Sequence, residues 1–167
     1  MFQIREIIDL AIQIEKNGEK IYRNALQLAS NPSISALLQR LADEEVQHIE
    51  WFSKFKQKIT STIEDPQLEE MGKSILNSVL GNQAFSLEDF DFAKIAHIND
   101  LLELAIEFER DTVLFYEMIR PLVNEVGASD HLDRIIEEEN QHIQTFQKIL
   151  RSGDIEIKKQ QPFNSGR

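Results

Sequence analysis

Glu44-Glu45-Val46-Gln47-His48-Ile49 and Glu138-Glu139-Asn140-Gln141-His142-Ile143 are two copies of one pattern, a Glu-x-x-His motif in an acidic, helix-forming stretch. Each follows a solitary Glu embedded in apolar sequence, Glu15 before Glu45 and Glu109 before Glu139. Positions 15 and 109, 45 and 139, and 48 and 142 each differ by 94. The chain therefore carries the order Glu, Glu-x-x-His, Glu, Glu-x-x-His. On four helices, that order can bind two metal ions in a bundle core.

The repeat extends beyond these six residues. Leu10-Ala11-Ile12 recurs as Leu104-Ala105-Ile106, Tyr22 as Tyr116, Arg40 as Arg134 and Phe52 as Phe146. The unit is a helix pair present twice, too few copies for a solenoid but suited to a bundle with pseudo-twofold symmetry.

Apolar spacing of i, i+3, i+4 predicts a helix from about Gln3 to Ala29, through Ile4, Ile7, Ile8, Ala11, Ile14 and Ile21. Asn31-Pro32 stops it, and Ser33 is a candidate cap for a second helix reaching about Ile59. A third helix should begin near Asn99-Asp100 and meet Pro121, with Met118 on its apolar stripe. A fourth should start at Ser129 or Asp130 and reach about Leu150. Residues 60–97 break the repeat and hold a possible short helix over 68–80. So long a stretch is uncommon as a bare loop, and its natural role is to carry the chain along the bundle. The second and third helices would then be parallel. The expected domain is residues 1–150, with a polar, mobile tail over 151–167.

Residues three apart share a helix face, so Glu45 with His48, and Glu139 with His142, can each hold one metal. Carboxylates on an apolar stripe are costly unless paired or metal-bound, and two divalent cations would balance four of them. Ligation rich in carboxylate suits iron, with manganese or zinc as alternatives. A single Glu-x-x-His on an acidic helix is ordinarily a solvated face; the ordered, duplicated set of six points to metal. Tyr22 and Tyr116 lie two turns after the solitary glutamates and could bond a ligand carboxylate or meet an oxygen species. Glu19 is a candidate extra carboxylate, although its counterpart is Val113. Asp43 and Glu137 are candidates to orient a histidine. His97 and His131 have no histidine counterparts and read as cap or surface residues.

Composition bounds the rest. The 167 residues suit one domain, 41% are hydrophobic and 28% charged, and the net charge is −11. That acidity argues against nucleic-acid binding and against an anionic membrane surface. No cysteine is present, which excludes disulfides, thiolate metal sites and cysteine nucleophiles. Neither a signal-peptide layout nor a run of about 18 apolar residues occurs, so a cytoplasmic location is expected.

With Glu15, Glu45-Val46-Gln47-His48, Glu109, Glu139-Asn140-Gln141-His142, Tyr22 and Tyr116 in this arrangement, residues 1–150 resemble the rubrerythrin family of the ferritin-like superfamily. The resemblance implies an all-α, ferritin-like four-helix bundle with one long crossover between the second and third helices. It implies two iron ions held by Glu15, Glu45, His48, Glu109, Glu139 and His142, and self-association, most simply a homodimer. The activity implied is that of a di-iron oxidoreductase reacting with peroxide or dioxygen, of peroxidase or ferroxidase type. Alternatives are an iron-storage ferritin-like protein and a non-redox metal-binding protein; a hydroxylase would need an apolar substrate cavity. Two departures stand out. The four cysteines of a rubredoxin domain are absent, so an external electron donor is implied. The additional Glu that family members often carry one turn after a solitary Glu is replaced by Gly18 and Thr112.

Overall fold

The computed structural model describes residues 4–59, 65–80, 90–123, 125 and 127–153. Its helices are α1 (Ile4–Leu28), α2 (Pro32–Lys58), α3 (Pro66–Leu80), α4 (Ile98–Ile119) and α5 (Ala128–Ser152). Short 3-10 turns cover Phe92–Lys94 and Arg120–Leu122. Four long helices form a bundle, and α3 belongs to the crossover, as the sequence suggested. The helix predicted over 68–80 begins slightly earlier, at Pro66.

The buried face of α2 runs Ile34, Leu38, Leu41, Glu45, His48, Phe52 and Phe55. That of α5 runs Ala128, Leu132, Ile135, Glu139, His142 and Phe146. Both step by alternating intervals of four and three residues, the spacing of a stripe that faces neighbouring helices along its whole length. The ligand-type residues occupy core positions of that stripe, so packing of the flanking Leu, Ile and Phe side chains forces them inward. The same holds for Glu15, between Ile14 and Gly18 on α1, and for Glu109, between Phe108 and Thr112 on α4. Each fully buried Ile, Leu or Phe contributes about 1.5–3 kcal/mol. Together they offset the cost of carrying charge into the core.

Chain direction follows from the contacts. Arg5 of α1 donates to the carbonyl of Ile59, at the end of α2, at 2.7 Å. Arg120, at the end of α4, pairs with Asp133 near the start of α5. Both pairs are antiparallel. Across the centre, residue 44 meets 142 and residue 48 meets 138, so α2 and α5 are also antiparallel. Hence α2 and α4 run parallel, which requires the long crossover. In it, Ile75 is buried, and Leu68, Met71, Phe90, Phe92 and Ile95 pack partly against the core. Phe85 and the side chains of Leu76, Val79 and Leu80, also apolar in sequence, lie outside the described residues, as does the tail beyond Gly153.

Several local expectations change. The cap of α2 is Asn31, not Ser33: its side chain accepts from Ser33 N and Ile34 N, while Pro32, lacking an N–H, fits the first helical position. His97 holds the N-cap position of α4, leaving Asn99 and Asp100 inside its first turn. Gly127, with φ of 83°, starts α5 in place of Ser129 or Asp130. Met118 is 44% exposed rather than on the buried stripe. Trp51 is half-buried, stacked on His131 with centroids 4.5 Å apart. His131 is thus a packing residue rather than a cap or a free surface group, and burial pushes its pKa down.

Candidate metal centre

Each bundle helix contributes to one central site: Glu15 from α1, Glu45 and His48 from α2, Glu109 from α4, and Glu139 and His142 from α5. All six are buried. Ligand atoms of Glu15, Glu45, His48 and Glu139 lie within 4.8 Å of one another. Those of Glu45, Glu109, Glu139 and His142 do the same. The two groups share Glu45 and Glu139. His48 Nδ1 is 3.2 Å from Glu15 and 2.9 Å from Glu139. His142 Nδ1 is 2.8 Å from Glu139 and 3.4 Å from Glu45.

Proximity does not satisfy these atoms. Glu45 Oε1, both carboxylate oxygens of Glu109, both of Glu139, and His142 Nδ1 are buried without a hydrogen-bond partner. Buried polar atoms are ordinarily paired, because an unpaired one costs about 1–3 kcal/mol. Orphaned carboxylate oxygens and an imidazole nitrogen converging on one volume fit metal cations, which accept lone pairs from all of them.

Protonation shows the same tension. Burial, and then the charge of Glu139, push the carboxyl groups of Glu45 and Glu109 well above the usual range. Burial opposes charge on His48, but Glu15, Glu138 and Glu139 outweigh it and drive its pKa strongly upward. His142 is driven up likewise, with Glu109 and Glu139 overcoming burial. Glu139, though buried, is held far below the usual carboxylate range by the two imidazoles. Without metal, these raised pKa values favour protons as the counterweight to buried negative charge.

The tyrosines adopt different roles. Tyr116 donates its hydroxyl to Glu15, a residue of the other repeat half. Burial, reinforced by Glu15, raises its pKa and keeps it a neutral donor. Tyr22 packs edge-on to His142, and its buried hydroxyl has no partner. Glu19 turns to Arg23 at 3.3 Å and joins neither group.

The histidine partners are not those expected. Asp43 takes Arg23 and Gln39, and Glu137 accepts from Gln141. Instead, His48 Nε2 lies 2.7 Å from Glu138, and His142 Nε2 lies 2.9 Å from Glu44. The doubled glutamates of both motif copies were the available signal. Gly18 also has a positive role: a Cβ there would lie 2.9 Å from Glu45 Oε2 and 3.4 Å from Phe108. Thr112, its counterpart, is buried and donates to the carbonyl of Phe108 at 2.9 Å. Over the outer side of the site, between α2 and α5, lies a cavity of about 280 Å³ lined mainly by polar residues, among them Arg40, Glu44, Gln47, Glu138, Gln141 and Thr145.

Fold and site together define a ferritin-like helical bundle with a buried carboxylate–imidazole metal site. The rubrerythrin family model matches residues 6–150, and the chain belongs to that family. Among solved structures, the chain resembles a Thermotoga maritima protein described as a ferritin-like diiron-carboxylate protein, with TM-score 0.65 and 20% identity. The match covers 91% of this chain and 97% of the other. No curated protein matches significantly. No helix among the described residues is long and apolar enough to cross a membrane.

Proposed function

We propose that the protein is a di-iron oxidoreductase that reduces peroxide or dioxygen, of peroxidase or ferroxidase type. The observation that carries this reading is the pair of four-residue groups sharing Glu45 and Glu139. Glu45 and Glu139 would bridge two ions; Glu15 and His48 would complete one position, Glu109 and His142 the other. An iron pair there would supply two electrons and Lewis acidity for cleaving an O–O bond. The surrounding residues set the conditions. Tyr116 holds Glu15 by its hydroxyl, and the Tyr22 hydroxyl, unpartnered and buried, can donate a hydrogen bond inside the site. The buried rings of Phe52, Phe108, Phe115 and Phe146 are part of the apolar core of the bundle.

The cleft between α2 and α5 is polar and small, which suits a hydrophilic oxidant and disfavours the apolar substrate of a hydroxylase. The sequence holds no cysteine for a rubredoxin-type iron, so repeated turnover would draw on an external electron donor. The test is anaerobic ferrous loading, then stopped-flow mixing with peroxide and, separately, with dioxygen. Rapid oxidation at about one peroxide per two irons, then arrest without a donor, is expected, because one O–O bond consumes two electrons. Two bound irons that neither oxidant touches would transfer the assignment to a non-redox metal protein.

A further inference from the structure

We propose that Glu44 and Glu138 are positioning residues that set the tautomer of the histidine on the opposite helix, and that the Glu15–His48 metal position is the more labile of the two. This rests on the two-metal reading above. A neutral imidazole has one N–H, and an ionised carboxylate only accepts. On a metal the imidazole is neutral, and the contact of His48 Nε2 with Glu138, 2.7 Å, would then keep the one hydrogen on Nε2 and leave the Nδ1 lone pair, on the side of Glu15 and Glu139, for the ion. The contact of His142 Nε2 with Glu44, 2.9 Å, would do the same for Nδ1 on the side of Glu139 and Glu45. The bonds are reciprocal: α2 orients the histidine of α5, and α5 that of α2. A ligand with its outer N–H fixed loses little orientational freedom when a metal arrives.

The two carboxylates are not held equally. Glu44 is pinned by Arg40 at 3.0 Å, and its side chain is 27% exposed. Arg134, the repeat counterpart of Arg40, reaches His131 Nδ1 instead, at 3.3 Å. His131 is itself held against Trp51. Neither His131 nor Trp51 has a like residue in the other half, where Leu37 and Thr145 stand. Glu138, half exposed at 50%, thus lacks the arginine that steadies Glu44, and orients His48 less firmly. The ion bound by Glu15 and His48 should then exchange faster.

The experiment uses zinc, which is diamagnetic and independent of turnover. Nitrogen-15 histidine NMR of the zinc-loaded protein should show an Nε2–H resonance for both His48 and His142. Glu138→Ala should remove the His48 resonance alone and Glu44→Ala the His142 resonance alone, while the Gln variants, which keep an acceptor oxygen, should restore them. Zinc release to a chelator should be biphasic. Glu138→Ala should accelerate the fast phase about 10–100-fold, and Arg40→Ala the slow one. Single-phase release by the wild-type protein, or unchanged resonances in both Ala variants, overturns the inference while leaving a two-metal site standing. Failure of the wild-type protein to bind zinc, cobalt or iron overturns the site reading, and this inference with it.

Discussion

Replacing Gly18 by Ala should move apo stability and metal affinity in opposite directions. Gly18 lies inside α1, where Ala is favoured over Gly by roughly 1 kcal/mol. In the metal-free protein the Glu45 carboxylate can rotate away, so the variant should melt slightly higher, by about 2–4 °C for a chain of this size. A Glu45 carboxylate engaged on metal would have no such freedom. The new Cβ would lie 2.9 Å from Glu45 Oε2, some tenths of an ångström inside ordinary contact. Metal–ligand distances tolerate deviations of only about 0.2 Å, so a shared carboxylate pushed this far must lengthen or lose a bond. A loss of about 10–100-fold in affinity corresponds to about 1.4–2.7 kcal/mol. The assay is thermal melting of apo and zinc-loaded protein with and without G18A, beside a competition titration. Unchanged affinity would refute the claim that glycine at position 18 makes room for a metal-binding carboxylate. A variant destabilised equally in both states would show that Gly18 serves backbone packing instead.

Metal loading should release protons, from the imidazoles of His48 and His142 and from the carboxyl groups of Glu45 and Glu109, whose pKa values are all raised in the metal-free fold. Affinity should therefore rise with pH; calorimetry in buffers of different protonation enthalpy measures the release, and no release would contradict the protonated cluster. Glu139→Ala should impair binding of both ions because Glu139 belongs to both groups, whereas His131→Ala should leave the metal count at the wild-type value; elemental analysis decides, and full two-metal loading of Glu139→Ala would defeat the shared site. The chain should form a homodimer, a reading favoured by Leu114 and Met118, 58% and 44% exposed one turn apart on α4; light scattering that finds a stable monomer at high concentration would refute it.

The sequence alone picked out the six residues of the buried carboxylate–imidazole cluster and the all-α bundle, because both are local and periodic properties. A three-residue interval puts Glu45 and His48 on one face whatever the helix packs against. The shared offset of 94 then forces the two halves to present equivalent faces. The crossover was likewise legible, since a long unrepeated stretch must join two helix pairs. Other features depended on how one helix is rotated and shifted against another. Spacing within α2 could not show that Glu44, rather than Asp43, reaches an imidazole, because the imidazole is on α5. Nor could it show that Tyr116 serves Glu15 of the opposite half, or that Gly18 leaves space for Glu45. The repeat implied equal halves, whereas Trp51 and His131 draw Arg134 away from Glu138 and make them unequal. A helical period fixes which way a side chain points; only the packed bundle decides what it meets.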